Sequence, residues 1–463
     1  MKFLDSKTID EINIGDSVSL VQTLTNQDIS LFALASGDVN PLYVDTEYAQ
    51  STPGRKINGH SVWIGALISS LLGTRLPGAG TVYRRQALNF IHPVLLGDKL
   101  TVTITVIEKN TAQGWVTFHC QVTNQHHELV TEGQAEVIPP AQKVQRLRIK
   151  LPCIYLENPG TQLQRLVAMT EQYDPVRMAV VHPVDGNSLA GAMDAAKANL
   201  IVPVLVGPIR RICAVAEQEG IDLSDCELVD TEHSHDAAIE AVAMARAGRV
   251  NAIMKGSLHT DELMHAAVQR STGISTARRM SHVFLMDVPT YPKPLMVTDA
   301  VVTIDPTLEE KRDIVQNAIE LAHALGIEEP KVALLSAVET VNPKMRSTLE
   351  AAAICKMAHR KQITGGLVDG PLAYDNAISE EAARIKGIES TVAGRADILV
   401  APDLEAGNMV VKQLEYMANA QSSGIVLGAR VPVALTSRAD PPLNRMASCA
   451  LALLLAQNKS TIP

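Results

Sequence analysis

Residues 100–107 read Leu-Thr-Val-Thr-Ile-Thr-Val-Ile, which puts Val and Ile on one face and Thr on the other. A period of two marks a half-buried strand. Upstream, residues 62–72 read Val-Trp-Ile-Gly-Ala-Leu-Ile-Ser-Ser-Leu-Leu. That segment is apolar almost all round a helical wheel, as a helix wrapped by a sheet must be. Alternating segments at 87–92, 99–108, 114–123 and 128–137 predict an antiparallel meander after the helix. Pro139-Pro140 then ends the last strand, because proline cannot donate to a ladder.

Beyond residue 175 the rhythm changes. Short apolar runs recur at 178–181, 201–206, 252–254, 283–286, 295–297, 332–335, 398–401 and 431–435. Ala-rich helical segments such as 189–198, 236–247 and 311–325 lie between them. Such alternation predicts an α/β domain with a largely parallel sheet. Residues 141–165 are basic and contain proline (Lys143, Arg146, Arg148, Lys150, Pro152, Pro159). They read as a linker, or as a charged face packing across a domain junction. The organisation expected is therefore a domain over 1–140, a linker over 141–165 and a second domain over 166–463.

At 463 residues the chain exceeds one ordinary core, which agrees with that division. Aromatic residues make up only 3%, so aliphatic side chains must fill the interior. A net charge of −9 argues against nucleic acid as a partner. Six scattered cysteines without a C-x-x-C pair read as buried cytosolic thiols. The start, Met-Lys-Phe-Leu-Asp-Ser-Lys-Thr, has no signal-like apolar core, and no apolar run approaches membrane-spanning length. A cytoplasmic protein with no membrane partner is expected.

Helix followed by meander is the hotdog pattern, and the motifs agree. Residues 36–42, Ser-Gly-Asp-Val-Asn-Pro-Leu, resemble the active-site segment of MaoC-type (R)-specific enoyl-CoA hydratases. Gly59-His60-Ser61-Val62, Leu76-Pro-Gly-Ala-Gly-Thr-Val-Tyr83 and Pro93-Val-Leu-Leu-Gly-Asp98 fit the same family. The resemblance implies a hydratase-like site at Asp38, Asn40, Tyr43 and His60. In the family an Asp/His pair holds the water that adds to an enoyl-CoA; here Tyr43 stands where the histidine belongs. A phenol of pKa ~10 is a poor general base beside an imidazole of ~6.5. Two readings follow. Asp38 binds water with His60 recruited across the tunnel, or Asp38 is a turn residue, His60 is structural, and the domain serves binding, assembly or regulation.

The second part carries seven landmarks in order. They are His182-Pro-Val-Asp185, Met254-Lys-Gly-Ser-Leu-His-Thr260, Arg278-Arg-Met-Ser-His-Val-Phe284, Leu335-Ser-Ala-Val-Glu339, Val368-Asp-Gly-Pro-Leu-Ala-Tyr-Asp-Asn-Ala377, Ala401-Pro-Asp-Leu-Glu-Ala-Gly-Asn408 and Thr436-Ser-Arg-Ala-Asp440. Together they resemble the phosphate acetyltransferase/butyryltransferase family. The resemblance implies a two-lobed α/β fold of the isopropylmalate-dehydrogenase-like type, with its site between the lobes. It also implies the reaction acyl-CoA + phosphate ⇌ acyl phosphate + CoA.

By motif, the Ser-Arg pair of the family maps to Ser437 and Arg438. A thiol that attacks an acyl phosphate needs a base, and Asp440 is either that base or a loop cap. Asn444 falls where the acetyltransferase branch has aspartate. Phosphate oxygens call for arginine forks and backbone N–H groups, which points to Arg278, Arg279 and Ser281. Asp369, Asp375 and Asn376 are expected to line the same cleft, or to form a Gly-Pro turn with side-chain hydrogen bonds. Lys255-Gly256 is not a P-loop, since the glycine follows the lysine; Lys255 meets a phosphate or is a solvated lysine. His233-Ser-His235 reads as a helix start capped by Ser234 or Asp236. No metal and no tightly bound cofactor are expected; acyl-CoA and inorganic phosphate are the partners, handled by a homo-oligomer, dimer or larger.

These readings leave three functional outcomes. The acyltransferase is active beside a weak or dead hydratase, both halves are active, or the acyltransferase fold senses acyl-CoA without turning it over.

Overall fold

The structure, a computed structural model, describes residues 3–52, 56–149, 160–435 and 440–459. It forms two compact units, Met1–Leu156 and Glu157–Pro463. The stretch read as a linker contributes to both. Gln145–Leu147 pairs antiparallel with Phe3–Asp5 in the first unit, and Thr161–Ala168 is a helix that buries Leu163 and Leu166 in the second.

In the first unit the elements run β1 (Phe3–Asp5), β2 (Ser17–Thr23), α1 (Asn26–Ser36), α2 (Pro41–Val44), α3 (Thr46–Ser51) and α4 (Ser61–Thr74). They continue through β3 (Val82–Phe90), β4 (Lys99–Asn110), β5 (Trp115–Thr123), β6 (Leu129–Ile138) and β7 (Gln145–Leu147). The order β2-β4-β5-β6-β3 is antiparallel throughout. Leu100, Val102, Ile104 and Val106 of β4 are buried, and they share one core with Ile64, Ile68, Leu71 and Leu72 of α4. Each such side chain contributes about 1.5–3 kcal/mol by leaving water. This is a helix wrapped by a sheet, the hotdog arrangement. α1 starts on a capping box between Thr25 and Asp28 and stops at Gly37, whose φ of 74° is left-handed. That stop turns the chain into Asp38.

The second unit opens with α5 (Thr161–Ala168), β8 (Val176–Val181), α6 (Gly186–Lys197), β9 (Ile201–Gly207), α7 (Ile209–Glu219) and β10 (Glu227–Asp230). Next come α8 (Ser234–Arg246), β11 (Ala252–Lys255), α9 (Thr260–Val268), β12 (Ser281–Asp287), β13 (Leu295–Thr298) and α10 (Leu308–Ala324). Then follow β14 (Lys331–Leu335), α11 (Arg346–His359), β15 (Leu367–Leu372), α12 (Tyr374–Ile378) and α13 (Glu380–Ile385). The chain finishes with β16 (Ile398–Val400), α14 (Leu404–Met417), β17 (Gln421–Leu427), β18 (Val433–Ala434) and α15 (Pro442–Lys459).

One sheet of eleven strands, β10-β9-β8-β11-β18-β17-β12-β13-β16-β14-β15, carries the unit. β10, β9, β8, β11 and β18 are mutually parallel, and so are β13, β16, β14 and β15. Between these runs the pairings β18–β17, β17–β12 and β12–β13 are antiparallel. The two parallel runs therefore point in opposite directions. Their carboxyl ends lie at opposite ends of the strands, and this separates residues that share motif character.

Candidate active sites

At the carboxyl end of β8 the chain enters His182, whose φ of 54° is unusual for a non-glycine residue. The His182 Nδ1–H donates to the Ser257 carbonyl at 2.9 Å. Asp185 then caps α6, accepting the Ser188 N–H at 2.9 Å and its hydroxyl at 2.8 Å. Burial works against ionisation of Asp185. Hydrogen bonds from Ser188 and Ser257, with Arg445 nearby, outweigh it and hold the carboxyl below its usual range.

Next to it, β11 ends in Lys255. Gly256 follows because nothing larger fits: a Cβ there would stand 2.4 Å from the Val181 carbonyl oxygen. Lys255 is only 7% exposed, and its Nζ donates to the carbonyls of Leu258 at 3.2 Å and Gly256 at 3.5 Å. Its solvated-lysine reading is thereby corrected. A buried ammonium is kept only where acceptors or an anionic ligand surround it.

Lys255 opens into a cavity of about 400 Å³. His259 and Thr260 at the start of α9, His282 and Phe284 of β12, and Glu415 and Ser422 also line it. Leu435 and Asp440 line it as well. The Glu415 carboxylate accepts from the Ser422 hydroxyl at 2.6 Å, and its second oxygen accepts from Lys412 at 2.7 Å. Ser437 and Arg438 lie outside the described residues, but the residues flanking that segment, Leu435 and Asp440, are both at the cavity wall.

The other candidates are elsewhere. Arg278 pairs with Glu320 at 2.6 Å and Arg279 with Glu310 at 3.4 Å. Both line a separate cavity of about 460 Å³ together with Arg270, Arg312 and Asp313. Ser281 is fully buried, and its hydroxyl accepts from Asn317 at 2.8 Å. Asp369 accepts the N–H of Gly370 at 2.8 Å. Asp375 pairs with Lys386 at 3.2 Å, and Asn376 donates to Glu339 at 3.3 Å. The Lys386 ammonium holds the Asp375 carboxyl below its ordinary range.

Asp369, Asp375 and Asn376 are not among the described residues that line the Lys255 cavity. Asp369 lies in β15 and Asp375 and Asn376 in α12 after it, and β15 runs opposite to β11 because β17 and β12 reverse the direction of the sheet. Sequence reasoning passed over His282, Glu415 and Ser422. For His282 a signal was present: it stands two residues before Phe284, just ahead of the run expected as a strand at 283–286, and so on the same face once the strand starts at Ser281.

At α8, His233 rather than Ser234 or Asp236 takes the cap position, with no side-chain cap bond. Ser234 instead donates to Glu262 at 2.6 Å. Glu232, His233 and Asp236 bring three ligand-type atoms within 4.8 Å on this exposed start, a grouping their spacing did not announce.

In the first unit the candidates do converge. Asn40 caps α2 by accepting the Leu42 N–H at 3.1 Å, and Asp38 accepts the Asn40 N–H at 3.3 Å. The buried His60 places Nε2 3.0 Å from the Asp38 carbonyl and 3.9 Å from its carboxylate. A carbonyl only accepts, so Nε2 carries the proton and Nδ1 has the free lone pair. Nδ1 has no partner among the described residues. Tyr43 lies against the imidazole, ring centroids 4.1 Å apart, and Phe32 closes the other side at 5.0 Å.

The family model described as "Phosphate acetyl/butaryl transferase" matches residues 232–453, and that of the "MaoC like domain" matches 12–128. A phosphate acetyltransferase of Rhizobium meliloti is 56% identical over 299 residues, covering 65% of this chain and 95% of that protein. A phosphate butyryltransferase of Clostridium acetobutylicum is 42% identical over 283 residues, covering 61% of this chain and 94% of the relative. Among solved structures, a branched-chain phosphotransacylase from Enterococcus faecalis V583 superposes with a TM-score of 0.53 at 29% identity. It covers 61% of this chain and 99% of its own.

Proposed function

The chain belongs to the phosphate acetyl/butyryltransferase family, and from that premise we propose that its acyl transfer takes place in the cavity holding Lys255 and Asp440. The enzyme transfers a short acyl group reversibly between CoA and phosphate, and its first unit is a MaoC-like domain. One observation carries the placement: the buried Lys255, Leu435 and Asp440 share one cavity, and the last two bracket the Ser-Arg motif.

Phosphate is held between the Lys255 ammonium and the N–H groups at the start of α9, with Arg438 as a forked partner. Ser437 donates to a non-reacting phosphate oxygen. In the direction of acyl-CoA synthesis Asp440 takes the thiol proton, and the thiolate attacks the acyl phosphate carbonyl. Arg278, Arg279, Ser281, Asp369, Asp375 and Asn376 play no part in this scheme. The test is phosphate- or arsenate-dependent CoA release from acetyl-, propionyl- and butyryl-CoA by the whole chain. Lys255→Met and Arg438→Ala should each remove it; full activity in either variant refutes the placement.

We infer further that the second unit has the isopropylmalate-dehydrogenase-like fold, that the domain boundary lies within 141–165, and that the chain assembles as a homo-oligomer. Free thiols at Cys120, Cys213, Cys226, Cys355 and Cys449 support a cytoplasmic setting.

The first unit binds acyl-CoA. A second reading, hydration of an enoyl-CoA, is favoured by the free Nδ1 of His60 beside Asp38. Crotonyl-CoA hydration by the wild type, lost in His60→Gln and gained further in Tyr43→His, is the outcome it requires. Silence in the wild type and both variants removes it.

A further inference from the structure

His282 stands at the wall of the Lys255 cavity, and acyl transfer as described gives it no task. Its side chain is 1% exposed. Phe284 meets it edge-on, centroids 4.4 Å apart at 66°, which fixes the plane of the imidazole. The backbone is fixed too, since the His282 carbonyl accepts the Thr298 hydroxyl at 2.8 Å.

Room for the ring is built into the facing strand. Gly424 pairs across from Phe284, and a Cβ at Gly424 would stand 2.6 Å from His282 Nε2 and 3.0 Å from the Leu435 carbonyl oxygen. The Nδ1 of this placed imidazole has no hydrogen-bond partner among the described residues. Buried polar atoms in that state are uncommon and costly. Nδ1 is sealed within the protein, and the nitrogen on the cavity side is Nε2, which faces Gly424 at the cavity wall.

What that nitrogen can do follows from chemistry. Burial pushes the His282 imidazole down to about 3, so near pH 7 it is neutral and too weak a base for a thiol or a phosphate. It keeps one N–H donor. Neutral imidazoles of this kind polarise carbonyls without giving up a proton.

We infer that His282 is a catalytic residue whose neutral imidazole N–H donates a hydrogen bond to the thioester carbonyl oxygen as phosphate adds to the carbonyl carbon. A phosphate oxygen lone pair forms the new C–O bond, and the C=O π pair moves onto the oxygen facing His282. Collapse restores C=O and breaks C–S, the sulfur leaving with the bonding pair. The proton carried by the attacking phosphate ends on the CoA sulfur, and His282 is unchanged. This rests on the placement of acyl transfer in the same cavity.

The experiment compares His282→Ala and His282→Gln in the full chain with the wild type, and with Lys255→Met. Removing one oxyanion donor should lower kcat about 100- to 1,000-fold with phosphate KM little changed. Glutamine, whose amide N–H reaches the position of Nε2, should recover turnover to within about tenfold. In parallel, infrared spectra of carbonyl-13C acetyl-CoA bound to the wild type should show a lowered carbonyl stretch that His282→Gln largely keeps. His282→Ala with normal kcat, or a bound carbonyl at its solution frequency in the wild type, overturns the inference. If His282→Ala does not fold, the wild-type spectrum and the glutamine variant decide it. Normal turnover in Lys255→Met would sink the cavity assignment instead.

Discussion

Replacing Gly256 with alanine tests whether the end of β11 is built around Lys255. The added Cβ would lie 2.4 Å from the Val181 carbonyl oxygen, 3.1 Å from the His182 oxygen and 3.2 Å from its carbon. All three neighbours are backbone, so no side chain can swing away. Relief requires β8 and β11 to part where the Gly256 N–H donates to Val181 and the Ser257 N–H to His182, both at 3.0 Å. Overpacking costs about 1–3 kcal/mol, and weakening two buried hydrogen bonds adds roughly 0.5–1.5 kcal/mol each. A total of about 2–6 kcal/mol is expected, or roughly 4–24 °C in Tm at about 2–4 °C per kcal/mol. Lys255 moves with its neighbour, so phosphate KM should rise while residual turnover persists. Gly248→Ala is the control: its φ of 72° makes alanine strained, but nothing lies within 4 Å. Calorimetry and phosphate titrations on both variants read the difference. A Gly256→Ala enzyme with wild-type Tm and wild-type phosphate KM would show that the contact is not what holds Lys255.

Asp185 gives a pH signature. Its carboxyl lies below the ordinary range in the folded state, so its stabilisation is present above the unfolded value of ~3.9 and is lost as pH falls through the folded one; Asp185→Asn should therefore lower Tm at pH 7 and flatten its fall below pH 5. Gly73, near the end of α4, has open space around it and no positive φ, so Gly73→Ala should stabilise the first unit by about 0.5–1 kcal/mol in denaturant titrations. Arg278→Ala breaks the pair with Glu320 and should leave phosphate KM within about twofold, because a half-exposed pair contributes only ~0–1 kcal/mol and stands outside the proposed site; a KM raised tenfold would return Arg278 to the substrate.

The elements were legible where one residue type repeats with a clean period. β4 alternates without a break from Leu100 to Val106, and its four buried residues are the ones the pattern selects. β2 and β17 went unread: Ser-Val-Ser-Leu-Val-Gln-Thr is half exposed, and Gln-Ser-Ser-Gly-Ile-Val-Leu carries a glycine inside a strand. Missing β17 had a larger consequence than its seven residues suggest. Together with β12 it reverses the sheet, and without that reversal Asp369 and Lys255 look like neighbours at one set of strand ends. Motif order along a chain carries no information about strand direction. Local chemistry fared better: Asp38, Tyr43 and His60 meet because the left-handed stop at Gly37 and the Asn40 cap fold a short segment back on the start of α4.

Each unit holds a buried histidine with an unpartnered Nδ1 in its candidate site, and their surroundings separate their chemistry. His60 has a carboxylate 3.9 Å from the ring nitrogen that faces Asp38, so a positive charge on this ring would stand beside an acid. That arrangement suits proton transfer to and from water. His282 has Phe284 on its edge and a glycine at its Nε2, and among the described residues no acid forms an ion pair with it. A charge there would be stranded, so its ring can lend a hydrogen bond but cannot keep a proton. Hydration requires a base at water, whereas transfer to phosphate brings an anionic nucleophile and requires stabilisation of the carbonyl oxygen instead. The two sites differ in the direction these reactions demand, and the difference lies in what stands next to each imidazole.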